Sequence, residues 1–444
     1  MSATTPLRSV TWCLIGLLMT ALGLRLAVVQ QLLPQLAEDR DGYLALANSI
    51  VEGRGYSSAE TGRPTAYRPP LYPLLVAALK VFPGGSWPLG VAQALLGTAT
   101  VWLTWRLGRP LVGAWPGLFA AGLVAVDPLL LLYTAQAMTE TLFTFLAAAL
   151  LTVTRTKDPA SWTVRRQWAV GVLLGLAGLC RPTVWAWPVL VVVWRLSIAW
   201  RSRGWHGFLE LLSRTWRIAI AAMVVVLPWL VRNIAVLGSP VATTTHGGYT
   251  LLLANNPVVY REEVQQPWGV TWEDAPAGRR QSDWYAEVLR EKDADLGAGA
   301  DEIASDRWMA ARARRHIRDE PLMFLRAMGL RVRRLWNVAP LGAAASAYPP
   351  WIRTVVGAWY SLLFLAAFAG SLRVARSVRD TARSEGQDNT SDPAGGSRWW
   401  APLFLLLVSV TLVHSVYWSN ARMRAPLMPA VCVLAAAAFR RPPA

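Results

Sequence analysis

The first polar segment of the chain concentrates acidic residues. Glu38, Asp39 and Asp41 fall within four residues, shortly after a long apolar run. Carboxylates next to a membrane are costly and often mark functional sites, and an aspartate beside a hydroxyl group can act as a general base. A helix N-cap explains one acid, but three exceed what a cap needs. Asp39 and Asp41 are therefore candidate bases, and the choice between them stays open.

Four arginines are candidates for binding an anion. Arg68 directly precedes two prolines, which stiffen the chain and present its guanidinium at a fixed point before an apolar helix. Arg422 and Arg424 stand at the start of the last apolar run, on the outer side in the topology below, where a basic pair needs an anionic partner such as phosphate. Arg181 interrupts another apolar run. Snorkelling towards lipid headgroups is the alternative interpretation of Arg68.

One further acid lies at the start of an apolar run. Glu140 opens the segment that continues to Thr154, and a carboxylate there is costly unless it is paired or faces a water-filled cavity. Arg181 is on the same side in the predicted topology, so we expect the two to pair. A structural pair and a place in the substrate site are equally compatible with this position.

The composition is that of a polytopic membrane protein. Of 444 residues, 54% are hydrophobic and only 16% are charged, whereas a soluble domain carries roughly a quarter charged residues. The net charge of +17 does not indicate nucleic-acid binding, because the basic residues lie mainly in loops between apolar runs. Cys13, Cys180 and Cys432 all lie in apolar runs, which predicts buried thiols and neither a disulfide framework nor a metal site.

The apolar runs predict about ten transmembrane helices with both termini in the cytoplasm. The run Trp168–Trp200 is too long for one crossing of roughly 20 residues, and both of its flanks are basic and therefore cytoplasmic, so the chain must turn back at Arg181. The other runs are Val10–Leu33, Trp87–Leu107, Leu111–Val126, Met138–Thr154, Trp216–Val236, Trp351–Leu372, Trp399–Trp418 and Ala425–Phe439.

Three further segments are predicted to lie at the outer membrane surface. Leu71–Phe82 is too short to cross and reads as an interfacial or re-entrant helix. A short helix over Tyr43–Ile50, ended by the glycines that follow, would hold the acidic cluster at its N-terminus. Arg307–Trp336 combines arginine with large apolar residues at helical spacing, which is typical of a surface helix.

The predicted organisation has three parts. Residues 1–236 form a transmembrane core with a first outer, catalytic loop at 34–86. Residues 237–350 form a mixed extracytoplasmic loop domain. Residues 351–444 contain the C-terminal transmembrane helices with a cytoplasmic linker at 374–398, rich in Ser, Gly, Asp and Asn between Arg379 and Arg398. The fold class is thus an all-α polytopic membrane protein with interfacial helices on the outer face.

In order along the chain, these motifs resemble those of the GT-C class of membrane glycosyltransferases, which includes the aminoarabinose transferase of lipid A and the protein O-mannosyltransferases. An acid stands four residues before Tyr43, and an Arg-Pro-Pro-Leu motif begins at Arg68. One departure is that Arg40 follows Asp39 where the class has a second acid, and Asp41 stands one position later. Other matching segments are Thr139–Phe143, Arg181–Thr183, Leu227–Trp229, Arg232–Asn233, Gly247–Gly248, Asn255–Pro257 and Arg422–Pro426.

The resemblance implies an enzyme that moves a hexose or pentose from a polyprenyl-phosphate donor to a lipid, glycan or protein acceptor. It implies a site on the extracytoplasmic face of a bacterial cytoplasmic membrane. No cofactor is implied, and a divalent metal is compatible with paired carboxylates but not indicated. The implied roles are catalysis by Asp39 or Asp41 and Glu140, donor-phosphate binding by Arg68, Arg181, Arg422 and Arg424, and substrate contacts by Tyr43, Tyr67 and Tyr72.

A multi-pass transporter or lipid flippase is the main alternative. It predicts charged residues near the middle of several helices. In this sequence the charges collect at the outer helix ends and in loops, which favours chemistry at the outer face. A non-catalytic scaffold gives no reason for Asp39, Arg68, Glu140 and Arg422 to share one face.

Overall fold

The computed structural model describes residues 5–155, 162–272, 281–385 and 397–440. Over these residues the secondary structure is helical, and extended chain pairs only in an isolated bridge between Ser57 and Pro64. The expectation of an all-α protein is therefore confirmed.

Among the described residues, the N-terminal half contains nine α-helices, with 3₁₀ turns at Leu33–Ala37 and Pro182–Trp185. They are α1 Thr5–Gln31, α2 Tyr43–Val51, α3 Leu71–Leu79, α4 Trp87–Val112, α5 Ala114–Ala125, α6 Pro128–Thr134, α7 Glu140–Thr154, α8 Val164–Cys180 and α9 Ala186–Leu237.

The C-terminal half contains nine further helices among the described residues, with a 3₁₀ turn at Ala421–Leu427. They are α10 Gly247–Ala254, α11 Pro257–Val259, α12 Gln281–Leu296, α13 Glu302–Asp319, α14 Pro321–Leu335, α15 Gly342–Ser346, α16 Pro350–Glu385, α17 Ser397–Val416 and α18 Met428–Ala437.

Five helices among the described residues are long and apolar enough to cross a membrane, which makes the protein a multi-pass membrane protein. The pair α5 and α6, bent by 52°, adds a sixth span if the two helices form one crossing. The other predicted crossings fall on helices that are shorter or less apolar, such as α4, α7, α8 and α18, so the count of about ten stays a prediction. The five spans in the described residues are Ser9–Gln31, Pro182–Arg201, Gly204–Leu237, Pro350–Asp380 and Trp399–Val416.

The predicted interruption at Arg181 is confirmed. Helix α8 ends at Cys180, and α9 begins after the 3₁₀ turn. Helix α9 is itself broken at Gly204, whose φ of 54° lies in the left-handed region. Helix α8 and both halves of α9 line an open apolar cavity of about 500 Å³, so the chain reverses at both breaks. Glycine at 171 lets α8 approach α9 closely, because a Cβ there would lie 2.4 Å from the Cβ of Ala221.

The main core is built around α18, which is buried along its whole length. Cys180 and Cys432 are buried as predicted, but the prediction for Cys13 was wrong, since it lies on the exposed face of α1. Arg25 also lies in α1 and is 1% exposed. Its guanidinium donates to the carbonyl groups of Val124 and Ala125, both at 3.2 Å, so this charge serves the otherwise unpaired C-terminal end of α5.

Helices α10 to α14, within the predicted loop domain, have a second hydrophobic core that includes Tyr260, Trp284 and Met309. The stretch Arg307–Trp336 is not one helix, because the chain breaks between α13 and α14 at Glu320, before a proline. Helix α16 continues to Glu385, so the first part of the predicted linker is helical. Residues 386–396 of that linker lie outside the described residues.

Candidate active site

The acidic cluster lies at the N-terminus of α2, as predicted. The carboxylate of Asp39 accepts hydrogen bonds from the backbone N–H groups of Leu44 at 3.0 Å and Ala45 at 2.7 Å. Gly42, with φ of 78°, lets the chain turn into the helix. Asp39 is otherwise exposed, so a helix cap uses part of its hydrogen-bonding capacity and leaves the rest accessible.

Five charged side chains from distant parts of the sequence form one ionic network. Arg422 Nη2 lies 3.1 Å from Asp41 Oδ2, and Arg422 Nε lies 3.4 Å from Glu140 Oε1. Arg181 Nη2 donates to Glu140 Oε1 at 2.8 Å. Arg68 Nε donates to the Asp41 carbonyl oxygen at 2.8 Å, and its Nη2 lies 3.8 Å from Asp41 Oδ1. Three guanidinium groups face two carboxylates, so the network carries an excess of one positive charge.

The side chains of the network differ in how exposed they are. The Glu140 side chain is 1% exposed and Arg181 is 13% exposed, whereas Asp41, Arg68 and Arg422 are between 18% and 22% exposed. The predicted pair of Glu140 and Arg181 is therefore present and forms the floor. The residues nearer the surface are open enough to meet a bound molecule.

Of the three predicted tyrosines, two lie beneath the network and one beside it. Tyr43 and Tyr72 are buried and pack edge to face, with ring centroids 5.2 Å apart. The hydroxyl of Tyr72 bonds to Gln93 Oε1 at 3.3 Å. The Arg68 guanidinium lies over the rings of Tyr43 and Tyr67, at 5.4 and 5.3 Å. Tyr67 is half-buried, so it is the tyrosine that an incoming molecule can reach.

Arg424 lies away from this network. It is 2% exposed, donates to the carbonyl oxygens of Leu335 at 3.2 Å and of Asn337, and lies 4.2 Å over the Tyr360 ring. The reason is local: Arg422 and Arg424 belong to a 3₁₀ turn, in which side chains two residues apart point in different directions. The structure thus brings only one member of the predicted basic pair to the site.

A residue that the sequence did not single out fixes the approach to Arg68. The carboxylate of Glu302, at the start of α13, binds the hydroxyl of Thr65, the backbone N–H of Ala66 at 2.8 Å and the hydroxyl of Thr245 at 2.5 Å. Thr245 N also donates to the Ala66 carbonyl at 3.0 Å. These groups form a junction between the first loop and the segments at the starts of α10 and α13. Ala66 and Glu302 are 236 residues apart, and no spacing pattern in the sequence predicts a contact over that separation.

Arg232 holds the same loop from the other side. Its guanidinium donates to the carbonyl oxygens of Thr65 at 2.8 Å and Tyr56 at 2.7 Å. Because a fork of donors binds two carbonyl groups at once, the loop has little freedom to rotate. The Arg-Asn motif at 232–233 is therefore explained by support of the loop that carries Arg68.

His246 is a second residue near the network that the sequence analysis did not select. Burial lowers the pKa of its imidazole well below the usual range, and the positive charges of Arg68 and Arg422 lower it further. The ring packs against Tyr67 at 4.3 Å and Tyr249 at 5.0 Å. It therefore presents a neutral imidazole beside the arginines.

Within the described parts of the chain, no group of three or more His, Cys, Asp or Glu side chains is arranged to hold a metal ion. The carboxylates of Asp41 and Glu140 are engaged by arginines instead. What the arrangement offers chemically is an anion-binding set of guanidinium groups next to an exposed carboxylate.

Residues 67–231 match the model of the dolichyl-phosphate-mannose-protein mannosyltransferase family. The matched region contains Tyr67, Arg68, Tyr72, Glu140 and Arg181, whereas the acidic cluster and Arg422 lie outside it. No curated protein matches the sequence.

Two solved structures match this chain to different degrees. One is the archaeal oligosaccharyltransferase AglB from Archaeoglobus fulgidus, in complex with an inhibitory peptide and a dolichol-phosphate, with 14% identity and a TM-score of 0.53 over 98% of this chain and 50% of that chain. The other is ArnT from Cupriavidus metallidurans bound to undecaprenyl phosphate, with 14% identity and a TM-score of 0.42 over 99% of this chain and 78% of that chain.

The chain spans about half the length of the archaeal enzyme. Its fold is similar to that of the archaeal enzyme over 98% of this chain, and the family match covers the region around Arg68 and Glu140. The resemblance to the GT-C class of membrane glycosyltransferases is confirmed as a resemblance, by the sequence pattern over residues 67–231 together with this similarity of fold.

Proposed function

We propose that the protein is a membrane glycosyltransferase that moves a sugar from a polyprenyl-phosphate donor to a lipid, glycan or protein acceptor. The observation that carries the proposal is the ionic network, in which three arginines (Arg68, Arg181 and Arg422) meet two carboxylates (Asp41 and Glu140) among the described residues. An anion that joined this network would neutralise its excess positive charge. The donor's phosphate is such an anion, and its negative charge grows as it leaves the sugar.

The donor class is supported from two directions. The matching family is described by its dolichyl-phosphate-mannose substrate, and the archaeal oligosaccharyltransferase of similar fold holds a dolichol-phosphate. Arginine suits this ligand because its planar fork binds phosphate oxygens in pairs. Arg68 and Arg422 are the more exposed arginines of the network, so we assign them to direct phosphate contact and Arg181 to the support of Glu140.

The proposed reaction is a displacement at the anomeric carbon. The acceptor oxygen forms a bond to that carbon, the bond to the phosphate oxygen breaks, and the acceptor proton passes to a carboxylate. Asp39 fits the role of base because a carboxylate offers about four lone-pair sites and two backbone N–H groups occupy only part of them. Asp41 is engaged by two arginines and is the second candidate.

We place the site on the extracytoplasmic face of a bacterial cytoplasmic membrane. The basic loops on both sides of the run interrupted at Arg181 favour the cytoplasm, which puts Arg181 and its partner Glu140 on the opposite side. Helix α3, with nine residues, is too short to cross and does not change this assignment.

The transporter alternative requires charged groups inside the spans. Arg25 is such a group, but its hydrogen bonds to carbonyl groups at the end of α5 account for it structurally. The charges that face one another in the network lie at helix ends. This arrangement supports chemistry at one face of the membrane over passage through it.

The test is transfer of radiolabelled sugar by the purified full-length protein from a panel of polyprenyl-phosphate donors to a membrane extract. Wild type is compared with Asp39→Asn, Asp41→Asn and Arg68→Ala, with the exposed Arg353→Ala as a matched control. We expect one Asp variant to lose turnover while its thermal stability is kept, which selects the base. If the wild type consumes no donor but moves labelled lipid across reconstituted vesicles, the transporter alternative holds.

A further inference from the structure

Four aromatic side chains form a continuous wall beside the ionic network. Tyr67 contacts His246 with ring centroids 4.3 Å apart, His246 contacts Tyr249 at 5.0 Å, and Tyr249 contacts Tyr285 at 5.2 Å. All four are half-buried. The aromatic wall, defined by these four residues, therefore keeps part of its ring surface accessible.

The wall begins where the network ends. Arg68 lies 5.3 Å over the ring of Tyr67, and the charges of Arg68 and Arg422 act on His246. A molecule whose phosphate meets the arginines would therefore place the group next to that phosphate against the wall. In a polyprenyl-phosphate donor, that group is the sugar.

His246 supplies one unused polar atom in this wall. Its Nδ1 atom is buried and has no hydrogen-bond partner among the described residues. A buried polar atom left without a partner is energetically costly, so such an atom in a native structure calls for an explanation. A neutral imidazole has one nitrogen that accepts a hydrogen bond and one that donates, and either can bind a hydroxyl group.

We propose that the aromatic wall is a carbohydrate subsite and that Nδ1 of His246 binds a hydroxyl group of the ring held there. The inference rests on the proposed function and specifies where the sugar lies. Aromatic faces carry negative charge, so the weakly positive C–H groups of a sugar pack on them while its hydroxyl groups reach polar atoms at the edge. Both the donor sugar and a glycan acceptor offer this chemistry.

The wall is held rigidly, as a binding surface must be. The junction through Glu302 fixes Thr65 and Thr245. Thr65 lies two residues before Tyr67, and Thr245 directly precedes His246. Gly248 N donates to Asp306 Oδ1 at 2.6 Å, and a Cβ at Gly248 would lie 2.0 Å from the Asp306 carbonyl oxygen. Glycine at this position therefore lets the start of α10 sit directly on α13.

Three substitutions at one position test the hydrogen bond. In His246→Asn the side-chain amide reaches the place of Nδ1, in His246→Gln it reaches beyond it, and in His246→Leu no polar atom remains. We expect Leu and Gln to weaken the sugar-dependent binding about tenfold, which equals about 1.4 kcal/mol, and Asn to restore most of it. His206→Leu, at an exposed position, is the matched control. Tyr249→Ala tests the ring surface with the same expected loss.

The readouts separate the two sources of the ring. Binding of undecaprenyl phosphate alone is compared with binding of undecaprenyl-phosphate-linked mannose, glucose and aminoarabinose, and KM for the acceptor is measured in transfer. A loss confined to the sugar-linked lipids, with undecaprenyl phosphate unchanged, assigns the wall to the donor sugar. A rise confined to the acceptor KM assigns it to a glycan acceptor.

Two outcomes would overturn the inference, and they differ. Thermal stability and gel filtration first verify that the His246 and Tyr249 variants are folded. If these variants then bind and transfer like the wild type, the wall is structural and the proposed function stands. If the wild type neither binds nor consumes any sugar-linked lipid, the proposed function fails and the subsite falls with it.

Discussion

Arg422 Nη2 lies 3.1 Å from Asp41 Oδ2, although 381 residues separate them in the sequence. The contact joins the turn before the last helix to the loop after the first one. Because Arg422 also contacts Glu140, it is the residue through which both carboxylates of the network are held together.

Substitution of Arg422 should therefore disable the site more than loss of one surface charge would. We expect Arg422→Ala to reduce transfer at least a hundredfold, because both Asp41 and Glu140 lose a partner, and Arg422→Lys to recover only part of it, since a lysine cannot bind two carboxylates in fork geometry. The measurement is kcat and KM for donor consumption. Equal activity of Arg422→Ala and the exposed Arg353→Ala would contradict the assignment.

The pair of Glu140 and Arg181 allows a structural role to be separated from a functional one. Removal of one partner from a buried pair costs about 3–5 kcal/mol, whereas replacement of both by apolar residues is often neutral. We expect Glu140→Leu and Arg181→Met each to lower the thermal stability, and the double variant to recover it without recovering transfer. If the double variant is as active as the wild type, the pair is only structural.

Glu302 should act as a positioning residue through Thr65, Ala66 and Thr245. We expect Glu302→Ala to raise KM at least tenfold, because hydrogen bonds to a charged group are worth about 1.5–3 kcal/mol. Glu302→Gln should raise KM less, because its amide oxygen can still accept the two bonds from Ala66 N and Thr245 Oγ1. Glu291→Ala is the control, because Glu291 is more than a third exposed in its pair with Arg312, and such pairs contribute little. Equal KM values in both alanine variants would refute the role.

The lowered pKa of His246 predicts how stability depends on pH. The folded imidazole titrates below its unfolded value of about 6.5, so the unfolded chain binds more protons in the window below that value and stability falls as pH falls. Burial is the main cause of the lowered pKa, the guanidinium groups of Arg68 and Arg422 lower it further, and Tyr67 and Tyr249 pack against the ring. We expect His246→Asn to lose less thermal stability than wild type between pH 7.5 and 5. An identical pH profile would show that His246 is free to titrate.

The parts of the fold that local patterns control were predictable. The break at Arg181 followed from a run too long for one crossing and too basic at both ends, and α2 follows its predicted bounds because apolar spacing and glycine define a helix locally. The pair of Glu140 and Arg181 was found because a charge at the end of an apolar helix needs a partner.

Other features depended on geometry that a sequence pattern does not contain. Arg424 turned inward because it follows Arg422 by two residues in a 3₁₀ turn, and side chains at that spacing point in different directions. Glu302 and His246 reach the site from the segments at the starts of α13 and α10 by tertiary packing alone. Cys13 lies in an apolar run like the other two cysteines, but an apolar run in a membrane protein has an exposed face as well as a buried one.

The pairing of Asp41 with Arg422 also bears on how the protein is made. Synthesis proceeds from the N-terminus at about 5–20 residues per second, so Asp41, Arg68, Glu140 and Arg181 leave the ribosome well before Arg422. Until then, Asp41 lacks its nearest ionic contact and Glu140 is held by Arg181 alone. The proposed site is therefore completed only once the segment that carries Arg422 has been translated, and a chain that terminates before this residue should be inert rather than partly active.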